Sequence, residues 1–84
     1  MNEIEIFKAL GNPIRLKILE TIKNKKKCIC EIIPFVGKSQ PNVSHHIKIL
    51  KNAGLITEHR YKTNIYLEVS NKDIFEIIKT ARRL

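Results

Sequence analysis

Residues 39–50, SQPNVSHHIKIL, gather Ser39, Gln40, Asn42, Ser44, His45 and His46 where a surface helix ordinarily carries Glu and Lys. Amides, hydroxyls and neutral imidazoles have fixed donor and acceptor geometry. They suit the reading of base edges in a DNA groove, a task in which Lys and Arg mostly hold phosphates. Lys48 and Lys51 lie farther along the same stretch, where backbone contacts are expected. His46 falls at the margin of the apolar side of this helix and reads as packing or a helix–helix hydrogen bond rather than a ligand or base contact.

A second chemistry sits upstream. Cys28 and Cys30, in KKKCICEI, are the only thiol ligands of the chain. Two cysteines are too few for a disulfide framework and fall short of a four-ligand structural zinc site. On a regular helix, residues two apart point about 200° from each other, so both sulfurs reach one ion only at a helix start or in an unwound segment. Lys25, Lys26 and Lys27, with the free amides of a helix start, would favour thiolate and make the pair reactive toward soft metals or oxidants. The competing reading is that both are inert small hydrophobes.

The whole chain bounds these readings. Its 84 residues make one domain, residues 1–84, near the lower limit for a self-sufficient core, with roughly 60% of the unfolded surface to be hidden. A hydrophobic content of 43% excludes a disordered tail. No apolar run approaches a membrane span or a signal-peptide core, so the expectation is a cytoplasmic protein with no membrane partner. Sixteen Lys and Arg against eight Asp and Glu give a net charge of +8, which favours a polyanionic partner, nucleic acid before a membrane surface. An Ile- and Lys-rich composition also fits growth at high temperature. The run KNKKK, residues 23–27, reads as a solvated loop between helices.

The elements that must position these residues follow from periodicity and punctuation. Glu3 to Leu10 forms a mostly apolar helix ending at Gly11, suited to a left-handed C′ position. Asn12 caps a second helix, with Pro13 at its first position and Ile14, Ile18, Leu19 and Ile22 on a buried stripe. A short third helix runs from about Cys30 to Phe35, ragged at Pro34 and closed by Gly37. Ser39 caps a fourth that runs to Ala53 and stops at Gly54, with Val43, Ile47 and Leu50 on one face and Pro41, Ser44, His45, Lys48, Lys51 and Asn52 on the other. LITEHRYKTNIYLEVS is a hairpin with a polar tip, alternating over Ile65, Leu67 and Val69. Ser70, with Asp73 three residues on, opens a last helix from Asn71 to Arg83. Its apolar band, together with Ile4 and Phe7, exceeds what a small monomer can cover. Ile4, Phe7, Ile74, Ile77, Ile78 and Ala81 are therefore candidates for a homodimer interface.

A short helix, a Gly-containing turn, a helix with a polar N-terminal outer face and a basic hairpin together describe a mostly α winged helix-turn-helix, with five helices and a two-stranded wing. Ser39, Gln40, Asn42, Ser44, His45, Lys48 and Lys51 on the fourth helix, and Arg60 and Lys62 on the hairpin, are then the candidate contacts to double-stranded DNA. The basic hairpin residues also fit edge-strand protection against aggregation. A protein-interaction module of a transcription or RNA-processing complex is the competing function; it would expose an apolar patch on the fourth helix. An enzyme finds no support: there is no Gly-rich phosphate loop, nucleophile elbow or plausible carboxylate pair.

FKALGNPIRLKILETI, CICEI and SQPNVSHHIKILKNAGLI, followed by a basic hairpin ending in IYLEV, resemble the ArsR/SmtB family of winged-helix repressors over nearly the whole chain. The resemblance implies a homodimer paired through the first and last helices. It also implies a palindromic operator, released when a metal or metalloid ion, or an oxidant, modifies the protein. No cofactor is otherwise implied; a soft ion at Cys28 and Cys30 is the candidate effector. The chain departs from the family in three places. Ile33 stands where metalloid-sensing members carry a third Cys. The last helix offers Asp73 and Glu76 but no His for a zinc site there. The wing lacks a Gly at its tip, leaving Thr63 and Asn64 to make the turn.

Overall fold

The computed structural model describes residues 2–84. Its elements in chain order are α1 (Glu3–Leu10), α2 (Pro13–Thr21), β1 (Lys27–Cys28), α3 (Ile29–Val36), α4 (Gln40–Asn52), β2 (Ile56–Tyr61), β3 (Asn64–Val69) and α5 (Asp73–Arg82). This is a winged helix-turn-helix of five helices and a small antiparallel sheet.

Side-chain caps set several of the helix starts. Asn12 Oδ1 accepts from the amides of Ile14 and Arg15 at 2.8 and 3.3 Å, and Pro13 follows where no helical donor is lost. Ser39 Oγ accepts from Asn42 N at 3.3 Å to open α4. Gly37 and Gly54 close α3 and α4 at φ 75° and 78°, the left-handed region that an L side chain enters only with strain. Gly11 does not behave this way. Its φ is −80°, because the chain passes at once into extended Asn12, φ −151°, which must cap α2.

Three further boundaries differ from expectation. α3 is longer, starting at Ile29 behind Cys28 and running through Pro34 to Val36. The last helix starts at Asp73, whose amide donates to Asn71 Oδ1 at 2.8 Å. Ser70 is not its cap: the helix starts three residues later, Asn71 takes the Asp73 amide, and the Ser70 amide donates to Leu55 O at 2.9 Å, beside the sheet. The wing turn lies at Lys62 and Thr63, with Lys62 at φ 55° and Asn64 already paired with Tyr61.

The sheet has three strands, in the order β1-β3-β2, rather than the two expected. β1 pairs Lys27 with Leu67 and Cys28 with Tyr66. Two residues are too few to show an alternating pattern; this strand exists because β3 presents a free edge to it. The core is one cluster in which Ile18, Leu19, Ile32, Val43, Leu50 and Leu67 are fully buried. It fixes one face of α4 against α2, α3 and β2 and leaves the other in solvent.

Candidate nucleic-acid interface

The period of α4 divides it cleanly. Val43, His46, Ile47 and Leu50 are buried, whereas Gln40, Pro41, Asn42, Ser44, His45, Lys48, Lys51 and Asn52 are exposed. The exposed set starts at the N-terminal turns, where amides, a hydroxyl and an imidazole stand clear of any side-chain partner apart from the ring of His46, 5.2 Å from that of His45. An interaction module would place an apolar patch here; the surface is polar.

Two polar links hold α4 in place. Arg15 on α2 reaches across the core, its Nη1 3.0 Å from His46 Nδ1. The same guanidinium donates through Nε to Ala9 O at 2.7 Å and through Nη2 to Lys8 O at 3.2 Å. Arg15 thereby satisfies Ala9 O in the last turn of α1 and shares Lys8 O with the Gly11 amide, which donates to it at 3.2 Å. His46 is held below the usual imidazole range by its burial first, then by the charge of Arg15 and by His45. At the other end of α4, Lys51 Nζ lies 3.2 Å from Glu58 Oε1 on β2.

Sequence reasoning left His46 at a margin and passed over Arg15. A signal existed. At about 100° per residue, Arg15 falls between Ile22 and Leu19 on the apolar stripe of α2, a place where a cation requires partners.

On the wing, Arg60 and Lys62 are exposed, and Lys62 Nζ sits 5.5 Å from the centre of the Tyr61 ring. Behind the tip, His59 Nε2 lies 3.1 Å from Glu68 Oε1 and 3.2 Å from Thr57 Oγ1, a cross-strand set that the sequence did not suggest. It occupies a solvent-facing side of the two paired strands.

Cys28 and Cys30 come together at the start of α3. Cys28 has extended backbone and caps the helix, its Sγ accepting from Cys30 N at 3.2 Å while its own amide donates to Glu31 Oε1 at 3.1 Å. The two sulfurs are joined as a disulfide, with Cα atoms 5.1 Å apart. Cys28 is buried and Cys30 is exposed. Among the described residues there is no group of three or more His, Cys, Asp or Glu able to hold a metal ion. A reduced pair would offer two sulfurs per chain, which suits a two-coordinate soft ion, or a third ligand from a partner chain, better than tetrahedral zinc.

The candidate interface residues divide differently from expectation. Ile4, Phe7, Ile77 and Ala81 face solvent, Ile4 at 55% and Phe7 at 58% exposure. Ile74 and Ile78 do not; they are buried in the chain's own core, because they occupy the side of α5 that packs inward. Between α1 and α5, Phe7, Ile77 and Ala81 line a cleft of about 290 Å³ together with Leu10, Leu16 and Ile78; Ile4 lies outside it.

Residues 12–58, from the cap of α2 into β2, match the family described as bacterial regulatory protein, arsR family. The chain belongs to the arsR family. This arsR-family protein is 44% identical over 82 residues to the uncharacterised HTH-type transcriptional regulator MJ1325 of Methanocaldococcus jannaschii, covering 95% of this chain and 91% of that one. It is 34% identical over 83 residues to the arsenical resistance operon repressor of Staphylococcus xylosus, covering 90% and 79%. Its fold superposes on the crystal structure of Mycobacterium tuberculosis Rv0081 with a TM-score of 0.85 at 28% identity, over 96% of this chain and 82% of that one. The arsR-family protein is therefore a DNA-binding transcriptional regulator.

Proposed function

We propose that this regulator is a homodimeric repressor that places one α4 of each protomer in the major groove of a palindromic operator and a wing on each flank. In this reading it releases the DNA when a soft metal or metalloid ion, or an oxidant, engages Cys28 and Cys30. The observation that carries the DNA reading is the exposed face of α4, uncharged and hydrogen-bonding over Gln40, Asn42, Ser44 and His45, then basic at Lys48 and Lys51. Arg60 and Lys62 supply positive charge on the wing, suited to phosphate or minor-groove contact.

Dimerisation is supported by the apolar strip of Ile4, Phe7, Ile77 and Leu84, an unusual amount of exposed hydrophobe for so small a chain. The effector reading is supported by position. Cys28 caps α3 and also pairs with Tyr66 in β3, so a change at its sulfur acts on both the helix preceding α4 and the wing. Metalloid response appears in the name of the Staphylococcus xylosus relative. Here Ile33 removes a third sulfur from the chain, so two-coordinate ions or two-electron oxidants are the expected effectors.

The experiment is a mobility shift on fragments from around the protein's own gene. Reduced protein is tested alone, with arsenite, Cd(II) or Cu(I), and with peroxide, beside the Cys28→Ser, Cys30→Ser double variant. The expected result is a band lost from wild type on treatment and kept by the variant. Failure to shift any fragment would remove the operator reading. Equal release of wild type and variant would make the cysteines structural.

A further inference from the structure

The Arg15 guanidinium joins three helices through polar contacts, donating to Lys8 O and Ala9 O of α1 from its place on α2 and meeting His46 of α4. An arginine has no acceptor atom, so the 3.0 Å contact is a hydrogen bond only if His46 Nδ1 is unprotonated and its proton is on Nε2. A proton on Nδ1 would remove the acceptor and place two cations at that distance. α1 carries the exposed residues Ile4 and Phe7, and α4 carries the reading face, so Arg15 lies on a continuous path between them.

We propose that Arg15 and neutral His46 act as positioning residues, holding α4 at the angle that lets its outer face discriminate between DNA sequences, and that protonation of His46 frees the helix and reduces that discrimination. The proposal rests on the DNA-binding reading of α4 but concerns residues that do not touch DNA. The backbone relation is direct, because His46 is adjacent to His45 and two residues from Ser44. Any rotation that moves the His46 ring off Arg15 therefore turns the first two turns of the reading face.

The charged and titratable groups around His46 come from few elements. Arg15 of α2 and His45 of α4 itself both oppose a proton on the ring. From α1, the carbonyls of Lys8 and Ala9 hold Arg15, and its charged side chains, Glu3, Glu5 and Lys8, are exposed. Of the other elements packed on α4, the single carboxylate of α3, Glu31, is bonded to Cys28 N. On β2, Glu58 is paired with Lys51 and His59 with Glu68, while Arg60 is exposed on the wing.

The test has two arms. In the free full-length protein, ¹⁵N imidazole shifts follow His46 through an acid titration while amide spectra follow Arg15 Nε–H and the last turn of α1. The proposal expects the Nε2–H tautomer at neutral pH, and one shared midpoint for His46, the Arg15 Nε–H and α1 that is absent in His46→Gln. In the second arm, a duplex enriched by the wild-type protein from a random library is compared with a scrambled duplex at about pH 8 and at a pH below the His46 midpoint found in the first arm, a span that crosses the titration of this ring. The preference of wild type for the enriched duplex should fall by about tenfold, the scale of one charge-assisted hydrogen bond, whereas His46→Gln, which keeps an acceptor but does not titrate, should hold its preference. His45 and His59 are present in both proteins, so the difference between the two belongs to His46. An equal pH effect in both, or separate midpoints for His46 and Arg15, would overturn the proposal. If His46→Gln does not fold, the wild-type midpoints decide it. A linked titration in free protein that discriminates no duplex would count against the DNA reading and leave the link standing.

Discussion

Lys51 Nζ and Glu58 Oε1 are 3.2 Å apart, so the C-terminal end of α4 is tied to β2 by an ion pair open to solvent. An exposed pair of this kind is worth at most about 1 kcal/mol, and a phosphate is a stronger partner for the lysine than a screened carboxylate. Glu58→Gln should therefore free Lys51 and tighten binding to every duplex a few-fold, while changing the denaturation midpoint little. Lys51→Ala should weaken all duplexes alike and lower the slope of log K against log salt by about one. Affinities measured at several salt concentrations check both; a Glu58→Gln protein that binds less tightly would show that the pair orients the wing instead.

The split of the candidate interface residues gives sharply different outcomes for two neighbours on α5. Phe7→Glu with Ile77→Glu places charges on exposed positions and should yield folded monomers. Ile78→Glu buries a carboxylate in the core and should unfold the chain, since an unpaired buried charge costs several kcal/mol. Light scattering gives the mass and circular dichroism the fold. A wild-type mass of one chain at micromolar concentration would end the homodimer reading.

His46 makes stability depend on pH in a definite direction. Burial and Arg15 lower its affinity for a proton in the folded chain relative to its ordinary value of 6.5. The unfolded chain therefore binds more proton as the pH falls below that value. Stability from this group is complete above about pH 6.5, is lost progressively as pH falls toward the lowered folded value, and levels off below it. Urea midpoints taken from neutral to mildly acid pH should fall for wild type more steeply than for His46→Gln. Parallel curves would mean the ring accepts a proton in place.

Much of the architecture was legible because its punctuation is local. Asn12–Pro13, Ser39 and the glycines at 37 and 54 act within one turn of where they stand, and the polar start of α4 followed from spacing alone. What was missed depends on partners distant in the chain. β1 is a strand only because β3 lies beside it, and Ser70 stays with the sheet through its bond to Leu55 while Asn71 takes the first amide of α5. The wide apolar band of α5 marked Ile74 and Ile78 as surplus, but periodicity cannot say which edge of a band meets the chain's own core. Arg15 shows the opposite case, a charge on an apolar stripe that asked for a partner 31 residues away.

The proposed mode of DNA recognition requires a division of labour between the uncharged residues of α4 and the basic residues of α4 and the wing. The most direct measurement is the affinity of wild type, Ser44→Ala, His45→Ala and Lys62→Ala for an operator duplex and for a random duplex across salt concentrations. Ser44→Ala and His45→Ala should each cost about 1–3 kcal/mol on the operator, leave random DNA nearly unchanged and so relax sequence choice. Lys62→Ala should weaken both duplexes equally and flatten the salt dependence. If all three changes lowered operator and random binding to the same extent, α4 would not be the element that reads sequence.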